Sequence, residues 1–240
     1  MLGALARGVN ERLDALLEHV PSWLGRLLKD VRAGREKLLV STLPHEPLVA
    51  IDLMSPAFAD GARLPERFTA DGDGVSPPLV WGPLPERTQA LALVVEDADS
   101  PTPEPLSHAV VWRMPADTGR LAEGAIAPDK DGNGASDHGG DVGRNSFRRE
   151  GWLPPDPPKG HGTHRYVFQL FALSDAPVLS PNPGRAAVID AMAGRILGVG
   201  VLTGTYSRDE AATAGPAALR VRAKRIEGTP AASTTRSIAR

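Results

Sequence analysis

The stretch Leu91–Met114, LALVVEDADSPTPEPLSHAVVWRM, constrains the fold of this 240-residue chain more than any other. It reads as strand, acidic turn, strand. Leu91, Leu93 and Val95 alternate with smaller neighbours, the pattern of a half-buried strand. The run breaks at Asp97-Ala98-Asp99-Ser100-Pro101, and Pro101, Pro103 and Pro105 keep the connection out of any ladder because proline has no N–H to give. The chain re-enters an apolar run at His108, with Ala109 to Trp112 behind it. Strands that meet this way bring Asp97, Asp99 and His108 to one sheet end, which predicts a pocket floor.

The remainder suits a β scaffold. The 23 Pro and 25 Gly are too many for a helical bundle, and the length allows one large β domain or two small ones. With no Cys, disulfides and thiolate metal sites are excluded. No apolar run spans a bilayer, and Arg7, Glu11, Arg12 and Asp14 interrupt the region where a secretion signal needs apolar residues, so a cytoplasmic protein is expected. The net charge of −2 divides into +1 over residues 1–48, −7 over 49–207 and +4 over 208–240. The acidic middle argues against nucleic acid as a partner.

Read in order, Leu2, Leu5, Val9, Leu13, Leu16, Leu17 and Val20 recur at helical spacing. Pro21-Ser22 breaks that helix. Ser22 caps a second one, striped by Trp23, Leu24, Leu27, Leu28 and Val31 and stopped by Gly34. The expected helical hairpin packs on its own domain or on a partner subunit; acidic residues on its polar face disfavour a membrane surface. Pro44 and Pro47 mark a linker over 41–50. Short strands and turns follow to Trp81, a largely irregular segment covers 117–162, and Tyr166–Leu173 is a strand. Arg185–Leu197 is predicted as a helix ended by Gly198, and Val199–Tyr206 as the last strand. The domains expected are therefore a helical extension over 1–48, a β domain over 49–208, and a disordered basic tail over 209–240.

His164 opens the strand at Tyr166 much as His108 opens its own, so two imidazoles and two carboxylates are expected to converge. Beside carboxylates an imidazole tends to stay protonated, and such a cup would hold an anion. Two other chemistries use the same residues. The Asp/His set could ligate a divalent metal, or a His–Asp pair could act as general base in a hydrolase. Ser107 and Thr163 adjoin the histidines in sequence, but strand neighbours point to opposite faces. A third reading is an interaction module that uses the N-terminal hairpin.

From about Leu53 to Arg208 the chain resembles the phosphatidylethanolamine-binding protein family, in its bacterial Raf-kinase-inhibitor-like branch. The likeness is carried by Ser55-Pro56-Ala57-Phe58, Phe68-Thr69-Ala70-Asp71-Gly72, Gly74-Val75-Ser76-Pro77-Pro78-Leu79, and Trp81 with Pro85. It continues through Val95–Pro101, His108 with Val110-Val111, Gly143–Phe147, Pro157-Pro158 through Tyr166, and Gly204-Thr205-Tyr206. The resemblance implies a mainly β, Greek-key sandwich with peripheral helices. It also implies an anion pocket made by Asp97, Asp99, Pro101, His108, Pro158 and His164, with Tyr166 beside it. Such a pocket accepts a phospholipid headgroup or a phosphorylated ligand, with no cofactor, no metal and no catalytic residue. Members of the family act as lipid carriers or as modulators of kinases and proteases, and bacterial ones are often dimers.

The chain departs from the family's text in two places. The usual Gly-Tyr-Gly-Gly-Pro before the paired prolines reads Gly151-Trp152-Leu153-Pro154-Pro155, which removes a possible N–H donor and stiffens the rim. Arg195 stands where a histidine is common. Separately, Asp129, Asp131, Asn133, Gly134 and Asp137 match ligand positions of a calcium loop, but Gly140 stands where the last ligand should be Glu. The pattern suits a solvated turn as well as weak calcium binding.

Overall fold

In the computed structural model, residues 22–43, 47–128 and 139–209 are described. The helix expected over residues 2–20, the calcium-like pattern of 129–137 and the tail beyond Asp209 lie outside them. Among the described residues nine strands follow in chain order: β1 Val49–Ala50, β2 Leu53–Met54, β3 Leu79–Trp81, β4 Ala90–Asp97, β5 Leu106–Pro115, β6 Arg120–Leu121, β7 Asp141–Val142, β8 His164–Leu173 and β9 Ile196–Tyr206. The helices are α1 Ser22–Leu27, α2 Leu39–Thr42 and α3 Arg185–Met192. A six-stranded sheet has the order β1-β9-β8-β4-β5-β7, and a three-stranded sheet the order β2-β3-β6.

The sheets enclose the main core. Leu53, Leu79, Trp81 and Leu121 from the small sheet pack on Leu91, Leu93, Val95, Val111, Phe168 and Leu170 from the large one. A second cluster covers the other face of the large sheet: Ala90, Ala92, Val94, Val110 and Phe171 meet Leu39 of α2 and Val188 and Met192 of α3. Consequently every residue of β4 is buried. The half-buried strand expected from its alternation is instead covered on both faces. The small side chains at 90 and 92 are what let a helical layer approach, and a strand buried on both faces reads as a continuous apolar run.

Two further expectations are corrected. α3 ends at Met192, and Ile196 already pairs with Leu173 in β9. Gly194, at φ 73°, turns the chain between them, so the three- and four-residue spacing of Val188, Met192 and Ile196 runs across a helix–strand boundary. The second helix of the N-terminal segment closes at Leu27. Beyond it, backbone groups bond to the domain: Ala33 N–H donates to Ser100 O and Gly34 N–H to Ala98 O, at 2.9 and 3.0 Å. These tertiary bonds compete successfully with another helical turn.

Residues 33–42 form part of the core. Ala33, Leu38 and Leu39 are buried. Glu96, fully buried on the outer face of β4, accepts from Leu39 N–H at 2.9 Å and from Gln169 Nε2 at 2.7 Å, and pairs with Arg185. Gln169 Oε1 accepts from Val40 N–H at 2.7 Å. A buried carboxylate is tolerable when paired and hydrogen-bonded, and here it ties three elements to one strand.

Candidate functional site

At the end of the large sheet where β4 and β5 run into the acidic turn, a cavity of about 380 Å³ opens. Asp97, Pro101, His108, Pro158, His164 and Tyr166 line it. His108 is the extra residue of a one-residue bulge: Val95 pairs with Ala109, whereas Glu96 pairs with Ser107. The bulge re-aims the strand at the pocket, a frequent use of such irregularities. Leu153 and Pro154, the residues that replace glycines of the family's text, stand on the rim with Leu106 and Phe147. Leu153 grips His108 from both sides: its N–H donates to His108 O, and its carbonyl accepts from His108 Nδ1, each at 2.7 Å.

Asp99 does not line the cavity. Its carboxylate is held by Arg165, whose Nε donates to Oδ2 at 2.6 Å, and by Arg32 from the N-terminal segment at 2.7 Å. Burial alone would raise its pKa, but the guanidiniums of Arg165 and Arg32 outweigh burial and hold it below the usual carboxylate range. Asp99 is therefore a structural anion that fastens residue 32 to the start of β8. Arg195 is likewise elsewhere, paired with Asp175 at 2.7 Å.

Nor do the two pocket histidines act alike. His164 donates from Nδ1 to Asp97 Oδ2 at 2.7 Å, and its Nε2 lies 2.6 Å from Nδ1 of His161. His161 donates from Nε2 to the carbonyls of Leu28 and Val31, at 2.8 and 3.2 Å. With both outer nitrogens donating, two neutral rings would face each other lone pair to lone pair. A hydrogen bond between the two rings therefore exists only when one of them carries a second proton. Burial, then neighbouring His164, push the pKa of His161 below its ordinary value. His161 went unread in the sequence because its partners lie at Leu28 and Val31, far away along the chain.

His108 is different. Burial pushes its pKa down, against the pull of Asp97. The expectation of two cationic imidazoles holding an anion is therefore corrected: His108 is neutral at pH 7, because desolvation penalises the charged ring more than one carboxylate rewards it. With Nδ1–H donating to Leu153 O, its Nε2 carries a lone pair, and that atom is buried without a hydrogen-bond partner. Tyr166 Oη is also buried and unpartnered. Burial above all, with Asp97 next, raises the Tyr166 pKa well above its ordinary value, so the hydroxyl keeps its proton. The two rings meet edge to face, with centroids 5.0 Å apart. One acceptor and one donor thus stand side by side in a wall otherwise rich in proline and leucine. Both oxygens of Asp97 are engaged, Oδ1 by Asp99 N–H at 2.8 Å.

Among the described residues, no three His, Cys, Asp or Glu side chains are gathered to hold a metal, and no helix is long and apolar enough to cross a membrane. Ser107 opens into a different cavity from His108.

The family described as phosphatidylethanolamine-binding protein matches residues 54–207. A UPF0098 protein of Methanothermobacter thermautotrophicus is 37% identical over 158 residues, covering 66% of this chain and 99% of the relative. LppC of Mycobacterium tuberculosis, named as a lipoprotein, is 34% identical and covers 69% of this chain and 77% of its own. Two solved structures superpose with TM-scores of 0.59: CT736 of Chlamydia trachomatis, described as a homolog of the same family, at 30% identity over 67% of this chain and 99% of that one, and YbcL of E. coli, described as a new member of the mammalian family, at 28% identity over 65% and 98%.

Proposed function

The chain belongs to the phosphatidylethanolamine-binding protein family, and from that premise we propose that it is a binding protein whose cavity takes a small phosphate-like group in its singly protonated form. The observation that carries this is the pair of buried, unpartnered atoms, His108 Nε2 and Tyr166 Oη. A phosphate monoester monoanion offers a P–O–H to the imidazole lone pair and an oxygen to the phenol. The ring nitrogens of His161 and His164 are engaged by Asp97, by one another and by the carbonyls of Leu28 and Val31, so this pair shapes the pocket without spending a nitrogen on the ligand. Leucine and proline on the rim suit the short organic part of a phospholipid headgroup or a phosphorylated small molecule. In this reading Asp97, His108, His164 and Tyr166 form the polar floor, Pro101 and Pro158 the walls, and Asp99 the brace behind them. Modulation of a kinase or protease would follow from competition for the same pocket.

The test is calorimetric titration with O-phosphorylethanolamine. Tyr166→Phe and His108→Ala are each expected to weaken binding about tenfold or more, the worth of a hydrogen bond to a charged group. Affinity should fall as pH rises past the second phosphate pKa, about 6 for such esters, because the ligand loses the proton that His108 accepts. A sulfate ester, which has no such proton, should bind poorly. Unchanged affinity in both variants, or equal binding of the sulfate ester, refutes the reading.

A cytoplasmic homodimer that meets through the N-terminal segment belongs to the same reading, and Trp23, Leu27 and Val31 are exposed there.

A further inference from the structure

Ser107 and His108 are adjacent in sequence and serve different cavities. On the outer face of the large sheet, Ser107 lines a second cavity of about 340 Å³ with Arg144, Ser146, Arg148, Gly184 and Arg185. Ser107 is 2% exposed, and its hydroxyl is buried with no hydrogen-bond partner. Its position is fixed: Ser107 N–H donates to Ser146 Oγ at 2.8 Å, and Ser146 N–H donates to Ser107 O at 2.9 Å. Because Ser146 Oγ already accepts, its own proton is free for an outside acceptor.

The charged residues that line this cavity are all arginines. The side chains of Arg144 and Arg148 are exposed and make no ion pair or hydrogen bond with the described residues. Arg144 is nonetheless held in place, since its N–H donates to Pro183 O at 2.9 Å and its backbone bridges to Gly184 and Glu150. Glu96, at the back, is paired with Arg185. The eight-residue helix α3 begins here at Arg185, and no side chain caps its N-terminus, so its first N–H groups and the positive end of its dipole also face this region. Two uncompensated guanidiniums, two hydroxyl donors and a helix end converge, in a stretch of chain (49–207) that is otherwise acidic.

We propose that this cavity is a second anion site, selective for a doubly charged oxyanion of the phosphate class. Its groups are donors, which suits a fully deprotonated phosphate. Arginines also match phosphate oxygens with two parallel N–H bonds. The main pocket instead pairs one donor with one acceptor. The two sites therefore respond to pH in opposite directions: the second gains affinity as phosphate loses its second proton, independently of what the first cavity binds.

The experiment is a backbone-amide NMR titration of the full chain with inorganic phosphate at two pH values, either side of the second phosphate ionisation. The amides of Ser107, Ser146, Gly184 and Arg185 should shift, more strongly at the higher pH. The double variant Arg144→Gln/Arg148→Gln should bind at this site at least about tenfold more weakly, while resonances around His108 and Tyr166 respond as in the parent. Ser107→Ala should weaken phosphate several-fold without lowering the melting temperature, because it deletes a hydroxyl that folding leaves unpaired. Shifts confined to the main pocket at millimolar phosphate, or equal affinity in the double variant, overturn the proposal.

Discussion

A single ring shows how burial decides chemistry at this site. His108 sits next to a carboxylate, and adjacency alone makes it a cation. Enclosure by Leu153, Trp152 and Tyr166 reverses that, since an imidazolium there loses more hydration than Asp97 returns. The consequence for stability has a definite sign. The folded-state pKa lies below the ordinary value of 6.5, so the unfolded chain binds this proton first as pH falls. Stability from this residue is complete above pH 6.5 and declines as pH drops from 6.5 through the lowered folded value. Urea unfolding of His108→Phe against the parent should show a shallower loss of stability over that range; parallel pH profiles would contradict it. The titration of Asp99, lowered by its two guanidiniums, acts only further into acid.

At the scale of elements, β4 is the organising strand because it presents different chemistry to two layers. Its inner face supplies Leu91, Leu93 and Val95 to the sandwich. Its outer face ends in Glu96, which holds α2 through Leu39 N–H, β8 through Gln169, and the start of α3 through Arg185. Glu96→Ala would leave the buried Leu39 N–H and Gln169 Nε2 without their acceptor and the half-buried Arg185 without its partner, with an expected cost of about 2–3 kcal/mol, seen as a lowered denaturation midpoint. Glu96→Gln, which keeps an acceptor for Leu39 N–H, should cost less. The bulge at His108 is the other decision made at this scale: neighbours on a strand face opposite ways, and the inserted residue sets His108 toward the main pocket and Ser107, beside Glu96, toward the outer cavity. Close approach by α1 also depends on one small residue: a Cβ on Gly25 would stand 2.2 Å from Lys159 O, so any side chain there pushes α1 off the turn that carries His161.

Across the whole molecule, the N-terminal segment and the pocket are one construction. Leu28 and Val31 receive the His161 end of the Asp97–His164–His161 chain, and Arg32 reaches Asp99. A chain beginning at residue 49 would therefore expose the surface that Leu38 and Leu39 cover, costing about 4 kcal/mol for two buried leucines, besides leaving Glu96 short of a partner. Thermal unfolding should show that chain to be severely destabilised relative to one beginning at Ser22, which keeps the contacts of Leu28, Val31, Arg32, Leu38 and Leu39. Light scattering on the latter then tests the proposed dimer cleanly: an unchanged dimer mass assigns the contact to Trp23, Leu27 and Val31 or to the sandwich, and a monomer assigns it to residues 1–21.

By itself, the sequence determined the β class, the acidic turn between two strands and the residues that gather at the sheet end, because these rest on alternation, on proline's missing N–H and on motif order, all of which are local. Only the tertiary structure decided that β4 is covered twice, that Asp99 faces two arginines instead of the cavity, that His108 is neutral, and that His161 links the pocket to the N-terminal segment. Each of these depends on what lies across space from a residue. Burial and hydrogen-bond partners are set by packing between segments far apart in the chain, and no periodicity within either segment records them.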